Sequence, residues 1–211
     1  MLNHSDLERL YKEIDAVASA LTLNYCKKLY ELARESQGSI LEIGTSIGKS
    51  MFFLALGAKE LGKKVIGVDS YAVGRCTSEL LHVNFSYMLD LLSRYGLRET
   101  VVPIISTSAA AKGVIESIEW GLVHIDGDHS EVGVTTDIQL VENNVKKGGK
   151  IIFHDSGSHE DFQTGHPEVE SAISKFLAST SKYVETDPVK PEPPIYCADS
   201  DKFSQTILVR L

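Results

Sequence analysis

The apolar residues of the chain follow two alternating patterns. Between residues 5 and 36 they recur at helical spacing, as at Leu7, Leu10 and Ile14, which predicts one or two amphipathic helices. From residue 38 onward, short apolar runs alternate with longer stretches of helical periodicity. Short runs of this kind are typical of strands buried on both faces, and strands that alternate with helices indicate a parallel sheet covered by helices. The pattern therefore predicts an α/β fold.

Five strands of this kind can be located. They are SILEIG, KKVIGVD, TVVPIIS, GLVHIDGDH and KIIFHD, with helices predicted at 50–61, 80–95, 109–118, 132–145 and 167–177. Proline cannot donate a hydrogen bond to a neighbouring strand, so Pro103 fits best at the start of its strand or on an edge strand. The segment KKGGK is predicted as a turn. Residues 183–211 hold two more strands without a clear helix between them, so the last strand is expected to be antiparallel.

Length and charge limit the organisation of the protein and its partners. The 211 residues fit a single domain, with 1–37 as a helical N-terminal extension and 38–211 as the core that contains the sheet. The net charge of −8 argues against a nucleic-acid partner, which needs clustered Lys and Arg. The three cysteines have no CxxC spacing, so neither a zinc site nor a disulfide framework is expected. The chain shows no signal peptide and no apolar stretch near the ~20 residues of a membrane span, which predicts a cytoplasmic protein.

The first predicted strand runs into a glycine-bearing turn, LEIGTSIGKS. Glu42 lies at the end of this strand, and Gly44 and Gly48 surround a turn into a helix, where backbone can approach a ligand closely and free N–H groups can bind an anion. The turn has one residue too few between its glycines for a phosphate-binding P-loop, and it lacks the third glycine of the dinucleotide fingerprint. Asp69 ends the next strand, where a carboxylate can accept both hydroxyls of a ribose.

Carboxylates and histidines end the fourth and fifth strands. HIDGDHS carries Asp126, Asp128 and His129, and IIFHD ends in His154 and Asp155. Adjacent parallel strands bring such residues to one edge of the sheet, where ligands of α/β proteins bind. The group has two possible uses that the pattern alone does not separate. It could hold a hard divalent cation such as Mg²⁺ through oxygen ligands, or it could place a general base beside a hydroxyl.

Taken together, these motifs resemble those of the class I methyltransferases that use S-adenosylmethionine. Within that class the chain is similar to methyltransferase family 24, a group of small-molecule and sugar O-methyltransferases. The resemblance covers about residues 38–180 and rests on LEIGTSIGKS, VIGVDSY, IISTSAA, HIDGDHS and GGKIIFHD followed by HPEVESAISKF. It implies a Rossmann-like, doubly wound sheet of seven strands, mostly parallel with the last antiparallel, and a cofactor lying over the carboxyl ends of the strands.

The resemblance also implies which residues bind the cofactor. The glycine turn would hold the methionine part, Asp69 the ribose, and Ser108 would lie near the adenine. Relatives usually carry an acid where this chain has Thr107, which leaves the adenine contact open. The residues implied in cofactor binding are Glu42, Gly44, Thr45, Ser46, Gly48, Ser50, Asp69, Ser70, Ser108 and Asp126.

Roles at the two strand ends follow from the same resemblance. Asp126 and Asp155 match positions that bind Mg²⁺ in sugar O-methyltransferases, and His129 matches the base that removes the acceptor proton, with Asp126 beside it. His154 stands where metal-dependent relatives often carry an acid, and neutral imidazole is a poor Mg²⁺ ligand. A Mg²⁺ site at Asp126, Asp155 and His154, a softer ion and a metal-free enzyme therefore all remain open.

The function implied is transfer of a methyl group from S-adenosylmethionine to an oxygen of a small molecule, such as a sugar or a glycosylated metabolite. Two alternatives remain: a nicotinamide-cofactor enzyme of similar fold, and a binding module that keeps the pocket without the chemistry. The acceptor would be recognised by loops at about 70–85 and 156–168, whose sequence carries no readable code. The N-terminal helices could form an interface between copies, so a homo-oligomer also stays open.

Overall fold

The computed structural model describes residues 2–14, 21–71, 78–156, 166–189 and 205–211. Seven α-helices and seven strands alternate along this part of the chain. The helices are α1 His4–Ile14, α2 Leu23–Glu35, α3 Lys49–Lys59, α4 Ser78–Arg94, α5 Lys112–Ile115, α6 Glu131–Val141 and α7 Pro167–Ser179. The strands are β1 Ser39–Ile43, β2 Val65–Asp69, β3 Val101–Ile105, β4 Trp120–Ile125, β5 Val145–Phe153, β6 Tyr183–Val189 and β7 Gln205–Arg210.

All seven strands form one sheet in the order β3-β2-β1-β4-β5-β7-β6. The first five are mutually parallel, and β7 runs antiparallel to both β5 and β6. The predicted Rossmann-like α/β fold, with its antiparallel last strand and N-terminal helices, is confirmed. The order reverses at β1, whose neighbours are β2 and β4. Ligands of open α/β sheets bind outside the carboxyl ends of the strands at such a reversal.

The sheet is covered by apolar side chains on both faces. One buried cluster includes side chains from α1 to α4, among them Tyr25, Phe52 and Met88. The other includes side chains from α6 and α7, among them Ile138 and Phe176. Because helix α2 belongs to the first cluster together with β1, β4 and β5 residues, the N-terminal helices pack directly on the sheet.

Three local predictions differ from the structure. The helix predicted at 109–118 is limited to α5, because residues before it form turns in which Thr107 caps Ala110. The helix predicted at 132–145 ends at Val141, since Asn144 already accepts a hydrogen bond from Trp120 on β4. The segment KKGGK lies inside β5 as a bulge that shifts the register against β4, made possible by a φ of +76° at Gly148.

Other local predictions can be compared directly. Pro103 lies within β3, an edge strand of the sheet, as its missing N–H requires. Cys26 is buried and is not part of a disulfide, and Cys76 and Cys197 fall outside the described residues. Among the described helices, none combines the length and the apolar content needed to cross a bilayer.

Candidate active site

The turn between β1 and α3 depends on glycine at two positions. Gly44 and Gly48 both have a φ of +90°, and Ser46 between them has a φ of +44°. A Cβ atom on Gly44 would lie 2.0 Å from the carbonyl oxygen of Asp126, so the turn passes directly against the backbone that leaves β4. The turn therefore brings the start of α3, where a helix favours an anion, to the carboxyl end of β1.

The carboxylate of Asp69 holds this turn in place. Its Oδ2 accepts hydrogen bonds from the backbone N–H groups of Thr45, at 2.9 Å, and Ser46, at 2.7 Å. Its Oδ1 accepts one from the N–H of Tyr71 at 2.6 Å, and the Tyr71 hydroxyl lies 2.7 Å from Thr45 Oγ1. Each carboxylate oxygen can accept more than one hydrogen bond, so Asp69 retains capacity for a ligand.

A cleft of about 900 Å³ opens over the carboxyl ends of β1, β2, β4 and β5. A volume of this size suits a small-molecule ligand. The cleft brings together most of the residues singled out in the sequence, namely Gly44, Thr45, Ser46, Gly48, Ser50, Asp69, Ser70, Ser108, Asp126, His129, His154 and Asp155. Glu42 is the exception: it is fully buried, and it is not among the residues that line the cleft.

Four side chains converge at one end of this cleft. Nε2 of His129 lies 3.4 Å from Asp126 Oδ1 and 3.2 Å from Asp155 Oδ2. Nδ1 of His154 lies 3.2 Å from Asp126 Oδ1 and 2.9 Å from Asp155 Oδ1. We call these four residues the Asp–His cluster. One nitrogen or oxygen atom from each residue lies within 4.8 Å of every other, so the donors surround a single point.

The strand ends fix the positions of the cluster. The N–H of Asp126 donates to Ile43 O, and the N–H of His154 donates to Ile125 O, so both residues continue the hydrogen bonding of the sheet. Asp155 has a φ of +55°, a left-handed conformation that turns the chain sharply at the end of β5. The predicted juxtaposition of the fourth and fifth strand ends is thus present.

Mutual electrostatics dominate the ionisation of the cluster. The Asp126 carboxylate, followed by that of Asp155, raises the pKa of His129 to about 9. Burial alone would lower the pKa of His154, but the same two carboxylates raise it to about 10. Burial alone would raise the pKa values of Asp126 and Asp155, yet the two imidazoles hold the first well below its usual range and the second at about 2. Without another cation, both imidazoles are therefore charged at neutral pH.

The cluster also fits a metal ion. Nε2 of His129 and Oδ1 of Asp155 are buried, and neither makes a hydrogen bond of acceptable geometry among the described residues. Buried nitrogen and oxygen atoms of this kind are costly unless a ligand satisfies them. Carboxylate and imidazole donors around one point are the ligands that divalent cations use in proteins.

His166, in one of the loops expected to recognise the acceptor, also lies beside the cluster. Its ring stacks on His129 with centroids 4.6 Å apart, and its Nε2 lies 3.9 Å from Asp155 Oδ2. Of the loops expected to recognise an acceptor, residues 72–77 and 157–165 lie outside the described part of the chain.

A buried polar chain lies beneath the cluster and was not anticipated. The Tyr25 hydroxyl, on α2, lies 2.6 Å from Nε2 of His124, and Nδ1 of His124 lies 2.9 Å from Glu42 Oε1. All three residues are fully buried, and the Tyr25 ring packs on His154 with centroids 5.2 Å apart. The sequence shows a polar residue within each of two apolar strands, Glu42 in β1 and His124 in β4. The two residues lie opposite each other in the register of the sheet.

We expect Tyr25→Phe to lower the free energy of unfolding by about 1–3 kcal/mol, because it leaves a buried imidazole nitrogen without its partner. Tyr95→Phe is the matched control, since the Tyr95 hydroxyl bonds Glu13 at an exposed position. Urea unfolding of both variants measures the difference. Equal unfolding free energies in the two variants would show that the buried Tyr25 hydrogen bond stabilises the protein no more than the exposed one of Tyr95.

Another buried carboxylate lines the cleft near Ser108. Asp137 on α6 lines the cleft, is 2% exposed and accepts a hydrogen bond of 2.5 Å from Ser108 Oγ. Burial raises its pKa to about 6. Sequence reasoning missed Asp137 because it lies within a helical pattern, 29 residues from its partner. Asp137 thus places a carboxyl group beside Ser108, next to Thr107, the position at which relatives usually carry an acid.

Comparison with known proteins agrees with this geometry. Residues 41–156 match the family described as a methyltransferase domain, methyltransferase family 24. An uncharacterized protein, R132, of Acanthamoeba polyphaga mimivirus is 28% identical over 143 residues, which cover 65% of this chain and 58% of that protein. The chain thus spans less than two thirds of the length of this relative.

Two solved structures show the same fold at low sequence identity. The O-methyltransferase from Bacillus cereus in complex with S-adenosylhomocysteine has a TM-score of 0.71 at 15% identity, with 100% of this chain and 93% of that chain covered. The O-methyltransferase TomG from Streptomyces achromogenes, in complex with S-adenosylmethionine, has a TM-score of 0.68 at 16% identity, with 100% and 91% covered. The match over more than half of its length shows that the chain belongs to methyltransferase family 24, with a class I methyltransferase fold.

Proposed function

We propose that the protein transfers a methyl group from S-adenosylmethionine to an oxygen of a small molecule. One observation carries the proposal: a single cleft joins the turn at Gly44–Gly48 and Asp69 to the Asp–His cluster. A cofactor held by the first group would direct its methyl toward an acceptor held by the second. Alignment of donor and acceptor, together with removal of the acceptor proton, accounts for most of what such an enzyme must do.

The cofactor would lie along the turn between β1 and α3. Its methionine carboxylate would meet the first turn of α3, where residues Lys49 and Ser50 also line the cleft. Asp69 would accept the ribose hydroxyls, with Ser70 beside it. The adenine would lie toward Ser108, which the buried Asp137 orients.

The acceptor hydroxyl would lie at the Asp–His cluster. A divalent cation bound there would supply a Lewis acid that lowers the pKa of the hydroxyl. Asp126, His154 and Asp155 would hold that cation, and they would orient the acceptor oxygen toward the methyl group. His129 stays the predicted residue for proton removal only if it gives up the proton that the carboxylates otherwise favour, because a charged imidazole cannot act as a base.

Two measurements test the proposal as a whole. Calorimetry is expected to show binding of S-adenosylhomocysteine in the micromolar range, about −8 kcal/mol, and no comparable binding of NADH. Incubation with S-adenosylmethionine and a panel of sugars, phenols and glycosides is expected to release S-adenosylhomocysteine with at least one of them. Binding of the cofactor without transfer to any hydroxyl, by protein that carries its metal, would favour the binding module without chemistry.

Asp69→Ala is expected to weaken binding of S-adenosylhomocysteine by about 1.5–3 kcal/mol, because the ribose hydroxyls lose a charged acceptor. The variant also releases the turn at Thr45 and Ser46, so binding of the 2′,3′-dideoxy analogue should be measured as well. Wild-type protein should prefer the hydroxylated ligand, and Asp69→Ala should lose that preference. Asp90→Ala, at an exposed position on α4, is the control. An unchanged preference in Asp69→Ala would rule out the ribose contact.

A further inference from the structure

The geometry points to a site for a divalent first-row transition metal that favours imidazole, such as Zn²⁺, Fe²⁺ or Ni²⁺, at the Asp–His cluster, with His129 as its fourth protein ligand. This inference deepens the proposed function, because it places such a metal beside the acceptor. It differs from the Mg²⁺ site that the sequence motifs suggest, and it gives His129 a binding role.

The donor set decides the class of metal. Two of the four donors are imidazole nitrogens, from His129 and His154, and two are carboxylate oxygens, from Asp126 and Asp155. Mg²⁺ prefers oxygen ligands in near-octahedral geometry and keeps several waters, whereas imidazole suits Zn²⁺, Fe²⁺, Cu²⁺ and Ni²⁺. A set of four ligands of which two are nitrogen therefore disfavours Mg²⁺.

The distances between donors agree with this class. Four ligands in a tetrahedron at about 2.1 Å from an ion lie about 3.4 Å from one another. The separations between His129 Nε2 and the two carboxylates are 3.4 and 3.2 Å, and those between His154 Nδ1 and the carboxylates are 3.2 and 2.9 Å, with the two histidines facing different oxygens of Asp155. The cluster thus already has the dimensions of a compact four-ligand site.

The surroundings hold the two imidazoles in orientation. The His154 ring is 5% exposed and packs on Tyr25, while the His129 ring stacks on His166. Asp126 and Asp155 are positioned by the ends of β4 and β5. Rigid support from neighbouring side chains is what keeps metal ligands in place before the ion arrives.

Comparison of metals in wild-type protein alone is insufficient, because Zn²⁺ binds more tightly than Mg²⁺ at almost any site. The decisive measurement is the ratio of Zn²⁺ to Mg²⁺ affinity, by calorimetry on chelator-treated protein, in wild type and in His154→Asp. His154→Asp keeps four donors and replaces one nitrogen by oxygen, so the ratio should fall by at least about 10-fold. Asp128→Asn, in the same loop as His129 but outside the cluster, should leave the ratio unchanged.

Co²⁺ provides a second readout that does not depend on catalysis. Co²⁺ with four or five ligands absorbs visible light far more strongly than octahedral Co²⁺, so the wild-type protein should show intense bands. His129→Ala and His154→Ala should weaken or abolish them. His129 has a side chain that is 31% exposed, so its variant tests the proposal even if changes at the buried His154 prevent folding.

Two results would overturn the inference. One is a Zn²⁺ to Mg²⁺ ratio in folded His154→Asp that equals the wild-type ratio. The other is a set of Co²⁺ bands that both alanine variants leave unchanged, since the ion would then bind elsewhere. Binding of S-adenosylhomocysteine is measured on the same samples. Intact cofactor binding with failed metal selection leaves the proposed function standing, whereas metal binding without cofactor binding contradicts that function alone.

Discussion

Replacement of His129 with alanine is expected to lower the rate of methyl transfer by about 100-fold or more while leaving the affinity for S-adenosylhomocysteine nearly unchanged. His129 lies in the loop that leaves β4, and its Nε2 points between the two carboxylates of the cluster. Whether His129 holds a metal or takes the acceptor proton, its loss removes an interaction that stabilises mainly the transition state of methyl transfer. The affinity should persist because most residues proposed to bind the cofactor lie after β1, β2 and β3.

Asp128→Asn is the control for this change, since it alters the same loop but no member of the cluster. The two roles of His129 can be separated by adding metal. If His129 is a ligand, saturating metal restores part of the lost rate, whereas a lost base is not replaced. Near-full turnover in His129→Ala together with an inactive His154→Ala would indicate that His154, at the end of β5, removes the acceptor proton.

Gly44→Ala is expected to abolish cofactor binding and to lower the free energy of unfolding by about 2–5 kcal/mol. The added Cβ would lie 2.0 Å from the carbonyl oxygen of Asp126 and 2.4 Å from its carbonyl carbon. Both atoms are backbone, so no flexible side chain can move aside. The residue also has a φ of +90°, a conformation that alanine rarely adopts.

Gly113→Ala is the matched control, because an added Cβ there meets no atom within 4 Å and the residue lies in helix α5. That variant should bind S-adenosylhomocysteine normally and be as stable as wild type or up to about 1 kcal/mol more stable. Urea unfolding and calorimetry on the two alanine variants compare them directly. Wild-type affinity and stability in Gly44→Ala would show that the turn does not depend on the close packing of Gly44 against the backbone of Asp126.

The sheet could be predicted because its strands bury both faces and therefore appear as apolar runs. Pro103 limited the choice to the start of a strand or an edge strand, and β3 lies at the edge of the sheet. The strand ends were predictable for the same reason, since Asp69, Asp126 and Asp155 each end such a run. The length of α5 and the bulge in β5 were not predictable, because they depend on the turns around Thr107 and on a backbone angle at Gly148.

The missed parts of the site share a different cause. Tyr25 lies 99 residues from His124 along the chain, and Ser108 lies 29 residues from Asp137. Such contacts are fixed by how helices dock on the sheet, which local periodicity does not contain. His129 was located from its motif, but its contact with two carboxylates, and hence its raised pKa, required the positions of two strand ends at once.

The buried chain from Tyr25 to Glu42 also bears on how this protein can change over time. It supports the Asp–His cluster from the core side, through α2 and two central strands, whereas the acceptor is expected to be recognised by loops at about 70–85 and 156–168. Substitutions in those loops can therefore alter which molecule is admitted without moving the groups that carry out the reaction. A fold built in this way can acquire a new acceptor by loop variation while its reactive groups keep their geometry.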